Sequence, residues 1–371
     1  MAARRIALAM LGRPAPGTAP ARDTSGRARP RGYLFDEMFA VKYDESLLDG
    51  EARYARPAYR RLPAWVKLAM EVHRRRDEYD AIVTWSERLS LALMTIDWLS
   101  RGKPHVAMLY WFSRPSVRVP MRAFGARTLR GIVTWPTVQR AYAIDELGVD
   151  PSKLYLVKHF VDQLFWSSRN PRDQETDTIC GAGAEMRDYP TLLDALRGTG
   201  LPCHIATDHV RVDRFGFGRR VSAEAFLAGA GGNVTIGRRS ATELRDLYAR
   251  SRFVVVPLRP SDTDNGVTVI LEAMAMGKAV ICSRTRGQVD VIQDGVTGIF
   301  VPPGDAPALR KAMQDLWNDP ARARAMGERG RAYIEKHHTL DKFCRDVKAA
   351  IDACLDGRGA NADGSVPPLG G

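Results

Sequence analysis

Residues 253–281 constrain the fold of this chain more tightly than any other stretch. Phe253, Val254, Val255 and Val256 make an unbroken apolar run ending at Pro257, the composition of a strand buried on both faces. A polar loop, Ser-Asp-Thr-Asp-Asn at 261–265, follows. Gly266 then opens a segment with apolar residues at helical spacing: Val267, Ile270, Leu271 and Met274. Straight after Gly277 comes a second buried strand, Ala279-Val280-Ile281. Strand, glycine loop, helix and strand predict a parallel βαβ unit, with the helix N-terminus beside the carboxyl end of the first strand.

That geometry has chemical consequences. The first amides of the helix, around Val267 and Thr268, have no partner inside it and lie at the positive end of its dipole, where a phosphate or carboxylate is held well. Gly266 has no Cβ, so a ligand can approach the backbone. Glu272, about a turn and a half into the helix, can accept two hydroxyl hydrogen bonds, as from a ribose diol. Asp264, eight residues earlier, can meet another hydroxyl-rich group. A nucleotide sugar needs such a set. An ordinary doubly wound domain also starts helices with glycine and carries solvated acidic residues on them, so the spacing alone leaves both readings standing.

A length of 371 residues suits two domains. No run of eighteen apolar residues occurs, so no membrane-spanning helix is expected. The apolar run near the N-terminus is too short for a signal peptide and reads as a first strand, Arg5–Leu11. Five cysteines without C-x-x-C spacing point to reduced thiols and a cytoplasmic location. A net charge of +12 favours anionic partners. No helix-turn-helix, finger or RNA-binding motif is present, and no nucleic-acid partner is expected.

Before the central stretch, the chain alternates short buried strands with helical patterns. Strands are expected at Ala81–Trp85, His105–Tyr110, Gly131–Trp135 and Leu154–Phe160, with helices at Leu89–Trp98 and Val138–Leu147. Trp85-Ser86-Glu87, Tyr110-Trp111, Trp135 and Lys158-His159 fall at strand ends, where open α/β sheets bind ligands. These aromatics suit a sugar acceptor, or pad an interface. His105 and His159 read as structural. The loop 13–32, rich in Pro, Gly, Ala and Arg, is expected to be functional or unstructured. Between Tyr54 and Arg76 a basic cluster (Arg56, Arg60, Arg61, Lys67, Arg74, Arg75, Arg76) accompanies Trp65, Leu68, Ala69 and Val72 on one helix face. That face either meets an anionic membrane or packs on the sheet as a crossover helix, and the second is favoured.

The run Glu272-Ala273-Met274-Ala275-Met276-Gly277 resembles the signature of the family 4 retaining glycosyltransferases, two acidic residues separated by seven and ending in E-A-M-A-x-G. Here the first acidic position is Asp264 in place of Glu, with Asp262 as a substitute. Val161-Asp162-Gln163-Leu164-Phe165 is similar to the family's V-D-x-x-F at the end of the first domain. Glu243–Tyr248, Arg286-Gly287-Gln288 and Asp294–Gly298 resemble later family segments. The resemblance implies an α/β, GT-B architecture: two doubly wound, Rossmann-like parallel-sheet domains facing across a cleft. The implied division is an acceptor-binding domain at 1–166, a nucleotide-sugar domain at 174–340, a helix at 341–356 packing back on the first domain, and a disordered tail at 357–371.

It further implies metal-independent transfer of a hexose-type sugar, with retention, from a nucleotide-diphosphate sugar to a glycan, lipid-linked or small-molecule acceptor. The donor, UDP- or GDP-linked, is a substrate, and no cofactor or metal is implied. Glu272 would bind the ribose and Asp264 would orient the transferred sugar. Gly183, Arg187, Gly266 and the Val267 and Thr268 amides would hold the diphosphate. The family arginine after the glycine is Ala184 here, with Arg259 as a replacement. The usual Gly-Gly pair after the first strand is absent, and Tyr110 or Trp111 stands where many members have a histidine. Two other functions fit the fold: a nucleotide-sugar 2-epimerase, or a degenerate basic scaffold. Peripheral contact with the inner membrane face is a further expectation.

Overall fold

The structure is a computed structural model that describes residues 4–12, 30–167, 178–211, 220–222, 226–227 and 233–367. The chain divides into two compact units. The first holds Gly32–Lys158, the N-terminal strand and everything from Phe343 onwards; the second holds His159–Lys342 together with Arg31.

The first unit is built on a six-stranded parallel sheet. Its strands are β1 (Ile6–Met10), β2 (Val41–Tyr43), β3 (Ala81–Trp85), β4 (His105–Met108), β5 (Leu129–Thr134) and β6 (Leu154–Leu156), in the order β2-β1-β3-β4-β5-β6. The direction of winding reverses between β1 and β3, so the crevice for a ligand lies beyond the carboxyl ends of those two strands. Helix Ala64–Arg74 buries Leu68, Ala69 and Val72 against Ala7, Tyr43 and Ile82. The apolar face of the basic helix is therefore committed to the sheet, the crossover reading of the sequence. Of its arginines, Arg74 and Arg75 bind the fully buried Glu71 at 2.5 and 2.9 Å. Burial works against the Glu71 carboxylate, yet bonds from Arg74, Arg75 and Tyr54 bring it down to about 2. Arg56, Arg60 and Arg61 stay exposed, and no ion pair engages them among the described residues.

The second unit repeats the architecture with β7 (Thr178–Ala182), β8 (Cys203–Ala206), β11 (Val234–Ile236), β12 (Ser251–Val256), β13 (Ala279–Ser283) and β14 (Gly298–Val301). The order is β11-β8-β7-β12-β13-β14, again parallel, and winding reverses between β7 and β12. A short antiparallel pair, β9 (His209–Arg211) and β10 (Arg220–Ser222), stands apart from the sheet. Along β12 the side chains alternate: Val254 and Val256 pack with Ile270 and Met274, while Phe253 and Val255 pack with Ile281 and Leu316. Helix Val267–Ala275 ends at Gly277, whose φ of 70° is left-handed. Beyond that turn helix Pro320–His337 comes so close that a Cβ on Gly327 would lie 2.0 Å from the Gly277 carbonyl oxygen.

Three expectations change. The boundary falls at Lys158/His159, before the V-D-x-x-F segment. That segment joins the second unit because Asp162 is buried against Arg31, with Nε at 3.0 Å from Oδ1 and the Arg31 amide at 2.6 Å from Oδ2. Strand β6 stops at Leu156 rather than Phe160. The tail, expected to be disordered from 357, is described through Pro367: Leu156 donates to the Gly364 carbonyl at 2.8 Å and Ala360 to that of Ser152 at 2.7 Å. The loop 13–32 lies outside the described residues up to 29, and so do residues 168–177. No described helix is long and apolar enough to cross a membrane.

Candidate functional site

The reversal in the second sheet brings two loops together: 183–188, after β7, and 257–266, after β12. They are joined by backbone bonds, Asp188 N–H to the Pro257 carbonyl and Arg259 N–H to that of Met186, both 2.9 Å, around an antiparallel bridge between Arg187 and Leu258. Met186 takes a left-handed φ of 55° in the turn. The Tyr189 hydroxyl holds the Gly183 carbonyl at 2.5 Å from below.

Arg187 sits at the centre of this arrangement and is only 5% exposed. Its Nε donates to the Ala182 carbonyl at 2.9 Å and its Nη1 to that of Glu185 at 2.8 Å, two of the five N–H donors of a guanidinium. The group lies between two glycines. A Cβ on Gly183 would fall 2.7 Å from Nη2, and one on Gly266 would fall 3.4 Å from Nη1 and 2.9 Å from Val256 Cγ1. Both glycines have positive φ, 85° and 89°. Each position therefore excludes a side chain twice over, by backbone and by space. The resemblance placed Arg187 on the donor diphosphate; the structure buries its side chain and fixes the planar group by its own backbone.

The helix N-terminus differs from expectation in one respect. The Val267 amide, read as unsatisfied, donates to the Asp264 carbonyl at 3.0 Å and closes the turn. Among the described residues no acceptor meets the Thr268 amide, and the residue is exposed. Gly266 is the N-cap and has no side chain to cap with.

Asp264 is buried, 7% exposed, and its Oδ1 accepts from the Thr263 hydroxyl at 3.2 Å. Its loop is braced throughout. Asn265 Nδ2 donates to Ser261 Oγ at 2.8 Å, Gln288 Nε2 to the Asn265 carbonyl at 2.8 Å, and the Gly287 amide to the Ser261 carbonyl at 3.1 Å. A Cβ on Gly287 would sit 2.0 Å from the Thr263 oxygen. The close approach at Gly287 is thus made by the protein's own loop. Asp262, the alternative acidic position, is part-exposed.

Glu272 is part-buried, and its Oε2 accepts from the Tyr248 hydroxyl at 3.1 Å. Desolvation pushes its carboxyl up to about 8, against the Tyr248 hydrogen bond and the positive charge of Arg187. Tyr248 comes from helix Ala241–Arg250, which opens with a capping box between Ser240 and Glu243. Sequence reading placed that helix but not this contact, because nothing in its spacing marks Tyr248 apart from any other buried helix residue. The histidines are away from this site: burial brings His105 down to about 3 while its Nε2 meets Thr84 Oγ1 at 2.8 Å, and burial followed by His338 brings His159 down to about 4.

The first unit has its own opening at the corresponding place. A cavity of about 930 Å³ lies beyond the ends of β1, β3 and β4, with Leu11, Trp85 and Tyr110 from the strand ends and Trp65 from the basic helix among its walls. The Trp85 ring is held edge-on by Phe35 at 4.7 Å, and Tyr110 stacks on Trp135 at 5.1 Å. Trp85, Glu87 and Tyr110, read as strand-end ligand groups, all line this cavity; Trp111, Trp135 and His159 do not.

Comparison with known proteins agrees with this architecture. Residues 201–319 match the family described as glycosyl transferases group 1. The chain is 29% identical over 161 residues to the O-antigen chain mannosyltransferase C of Escherichia coli, covering 43% of this chain and 42% of the relative. It is 35% identical over 123 residues to the GDP-mannose-dependent alpha-(1-6)-phosphatidylinositol monomannoside mannosyltransferase of Mycolicibacterium smegmatis, covering 32% and 31%. The match thus spans less than half the length of either relative. Among solved structures, the sucrose-phosphate synthase of Thermosynechococcus elongatus superposes with a TM-score of 0.71 at 16% identity, over 95% of this chain and 100% of that one. Anabaena HepE in complex with UDP and glucose superposes with a TM-score of 0.69, also at 16% identity, over 95% and 100%. At such identities the likeness establishes the fold: an α/β chain of the GT-B class with two parallel six-stranded sheets.

Proposed function

We propose that this chain is a metal-independent, retaining glycosyltransferase that moves a hexose from a nucleotide-diphosphate sugar to an acceptor. The observation that carries the reading is the second unit's crevice, where a buried guanidinium, an unpaired helix-terminal amide and a half-buried carboxylate meet at the winding reversal. Arg187 and the Thr268 amide bind the diphosphate, and Gly183 and Gly266 let it reach them. Because Arg187 is already fixed by its bonds to Ala182 and Glu185, it stabilises the charge that develops on the leaving diphosphate without reorganising. Glu272 accepts from the ribose hydroxyls and Asp264 orients the transferred sugar. Attack comes from the same face as departure, with the leaving phosphate taking the acceptor proton.

The matching relatives named as mannosyltransferases, one of them GDP-mannose-dependent, favour a GDP-linked hexose; the UDP complexes of Anabaena HepE keep a UDP-sugar open. The first unit is the acceptor-binding one, with helix Leu340–Leu355 belonging to it from Phe343 onwards. We place the enzyme in the reducing cytoplasm. Any contact with the inner membrane face runs through Arg56, Arg60 and Arg61, since the apolar face of the next helix is buried.

The test is thermal denaturation with a panel of UDP-, GDP- and dTDP-sugars on wild type and Glu272→Ala. A ligand bound only to the folded state adds about 2.7 kcal/mol at a hundredfold excess over its Kd. Stabilisation by one nucleotide, lost in the variant, identifies the donor. No stabilisation by any of them overturns the reading, and turnover of the donor without acceptor transfers it to the 2-epimerase.

A further inference from the structure

The cavity of the first unit has a wall chemistry of its own. Leu11, Trp65, Trp85, Leu91, Tyr110 and Val117 give it apolar and aromatic surface, and Ser86, Thr95 and Ser116 add hydroxyls. Its charged groups are Arg88, Arg114 and a single carboxylate, Glu87. Glu87 reaches Arg114 only at 3.9 Å, and the Arg114 guanidinium rests 5.4 Å from the Trp111 ring centre, a placement that keeps it close to apolar surface. Arg88 is exposed and no ion pair engages it among the described residues. Arg60 and Arg61, also exposed and engaged by no ion pair among the described residues, lie just before the helix whose second residue is Trp65. Charge and apolar surface thus coincide, with positive charge in excess.

Size narrows the occupant. Pockets that hold drug-sized ligands run from roughly 300 to 1,000 Å³, so about 930 Å³ leaves room well beyond one sugar ring. A bare oligosaccharide calls for many carboxylate and amide acceptors, and this wall supplies one carboxylate beside the hydroxyls of Ser86, Thr95 and Ser116. Two arginines and three aromatic side chains in one wall instead match a phosphate attached to an apolar body.

We propose that this cavity takes an acceptor that joins a phosphate or phosphodiester to an apolar or aromatic body, with Arg88 and Arg114 on the anion and Trp65, Trp85 and Tyr110 on the body. The proposal rests on the transferase reading and names the acceptor class for it. The phosphate belongs to a lipid headgroup or to a soluble phosphorylated acceptor.

The experiment follows tryptophan fluorescence of the full chain titrated with decyl phosphate and with decyl glucoside, both below their micelle concentrations. The phosphate is expected to bind about tenfold tighter or more, the factor that one charge-assisted contact supplies. In Arg88→Met/Arg114→Met that preference disappears while the glucoside affinity stays. Equal affinity for the two amphiphiles, a preference that survives the double variant, or no binding of either overturns the proposal. Should the double variant fold poorly, Arg88→Met alone, at an exposed position, is expected to lose a measurable part of the preference, and an unchanged preference counts against it. Two further arms separate the sources. Binding of phenyl phosphate that needs both arginines assigns a soluble acceptor; co-sedimentation with phosphatidylglycerol/phosphatidylcholine vesicles that needs them assigns a lipid. Stabilisation by the nucleotide sugar is measured on the same samples: its presence without charge preference removes this inference alone, and its absence removes the transferase reading.

Discussion

The two units share a parallel sheet and a winding reversal, yet they present opposite kinds of surface at it. In the second unit the crevice is polar and tightly braced. Its key groups come from two loops and one helix within 183–288, the glycines are too crowded for any side chain, and Arg187 is locked by its own backbone. In the first unit the crevice is roomy and aromatic, assembled from segments between Leu11 and Pro120, with Arg88 and Arg114 in its walls. A diphosphate leaving group makes the same demand in every turnover, for fixed donors at fixed distances, and a rigid polar cradle answers it. An acceptor is read by shape and charge, which a larger cavity does better.

The contrast is most severely tested at Gly287. Replacing it with Ala puts a Cβ 2.0 Å from the Thr263 oxygen, and overpacking of this kind costs about 3 kcal/mol. Gly287→Ala is expected to lower the melting temperature and abolish nucleotide-sugar binding while decyl phosphate still binds the first unit; loss of both would show that the units are not separate in function. Next in size is Glu272→Gln, expected to weaken donor binding by about ten- to a hundredfold, the worth of a charged hydrogen bond, in a calorimetric titration. An unchanged Kd would remove Glu272 from the site.

The pH dependence sharpens the same point. The folded state holds the Glu272 proton up to about 8, against 4.5 for an ordinary glutamate. Without ligand, its contribution to stability therefore declines as pH rises between those values and is level above them. Diol binding needs the ionised form, so donor affinity should rise with pH towards 8 and beyond. Glu272→Gln flattens both trends. Tyr248→Phe removes a bond that holds the carboxyl down, so the affinity midpoint should move to higher pH. Smallest is Trp65→Ala, at a part-buried wall position: acceptor-analogue binding should weaken severalfold, about 1 kcal/mol, with donor affinity unchanged.

Much of this was legible in advance. Strands at 81–85 and 279–281 and the glycine-opened helix at 267 follow from unbroken apolar runs, the 3.6 spacing and glycine placement, which depend on near neighbours. Errors appeared where distant residues decide. Leu154–Phe160 reads as one strand, but only Leu154–Leu156 finds a partner in β5. The tail from 357 has a loop-like composition, yet carbonyls of residues 152, 358 and 364 organise it against β6. Val41–Tyr43 is too short to stand out and is a strand because β1 offers an edge.

By itself, then, the sequence determined a doubly wound fold, the helix whose N-terminus faces a crevice, and the acidic and cationic residue types at hand. Only the tertiary structure decided which of them act together. It set Arg187 between Gly183 and Gly266, laid the Tyr248 hydroxyl on Glu272, closed the Val267 amide and left that of Thr268 open, and gathered Trp65, Trp85, Arg88 and Arg114 around one cavity. The reason is physical: local periodicity is a property of neighbouring residues, whereas desolvation, hydrogen-bond partners and cavity walls belong to groups that meet only once helices and loops have packed on each sheet.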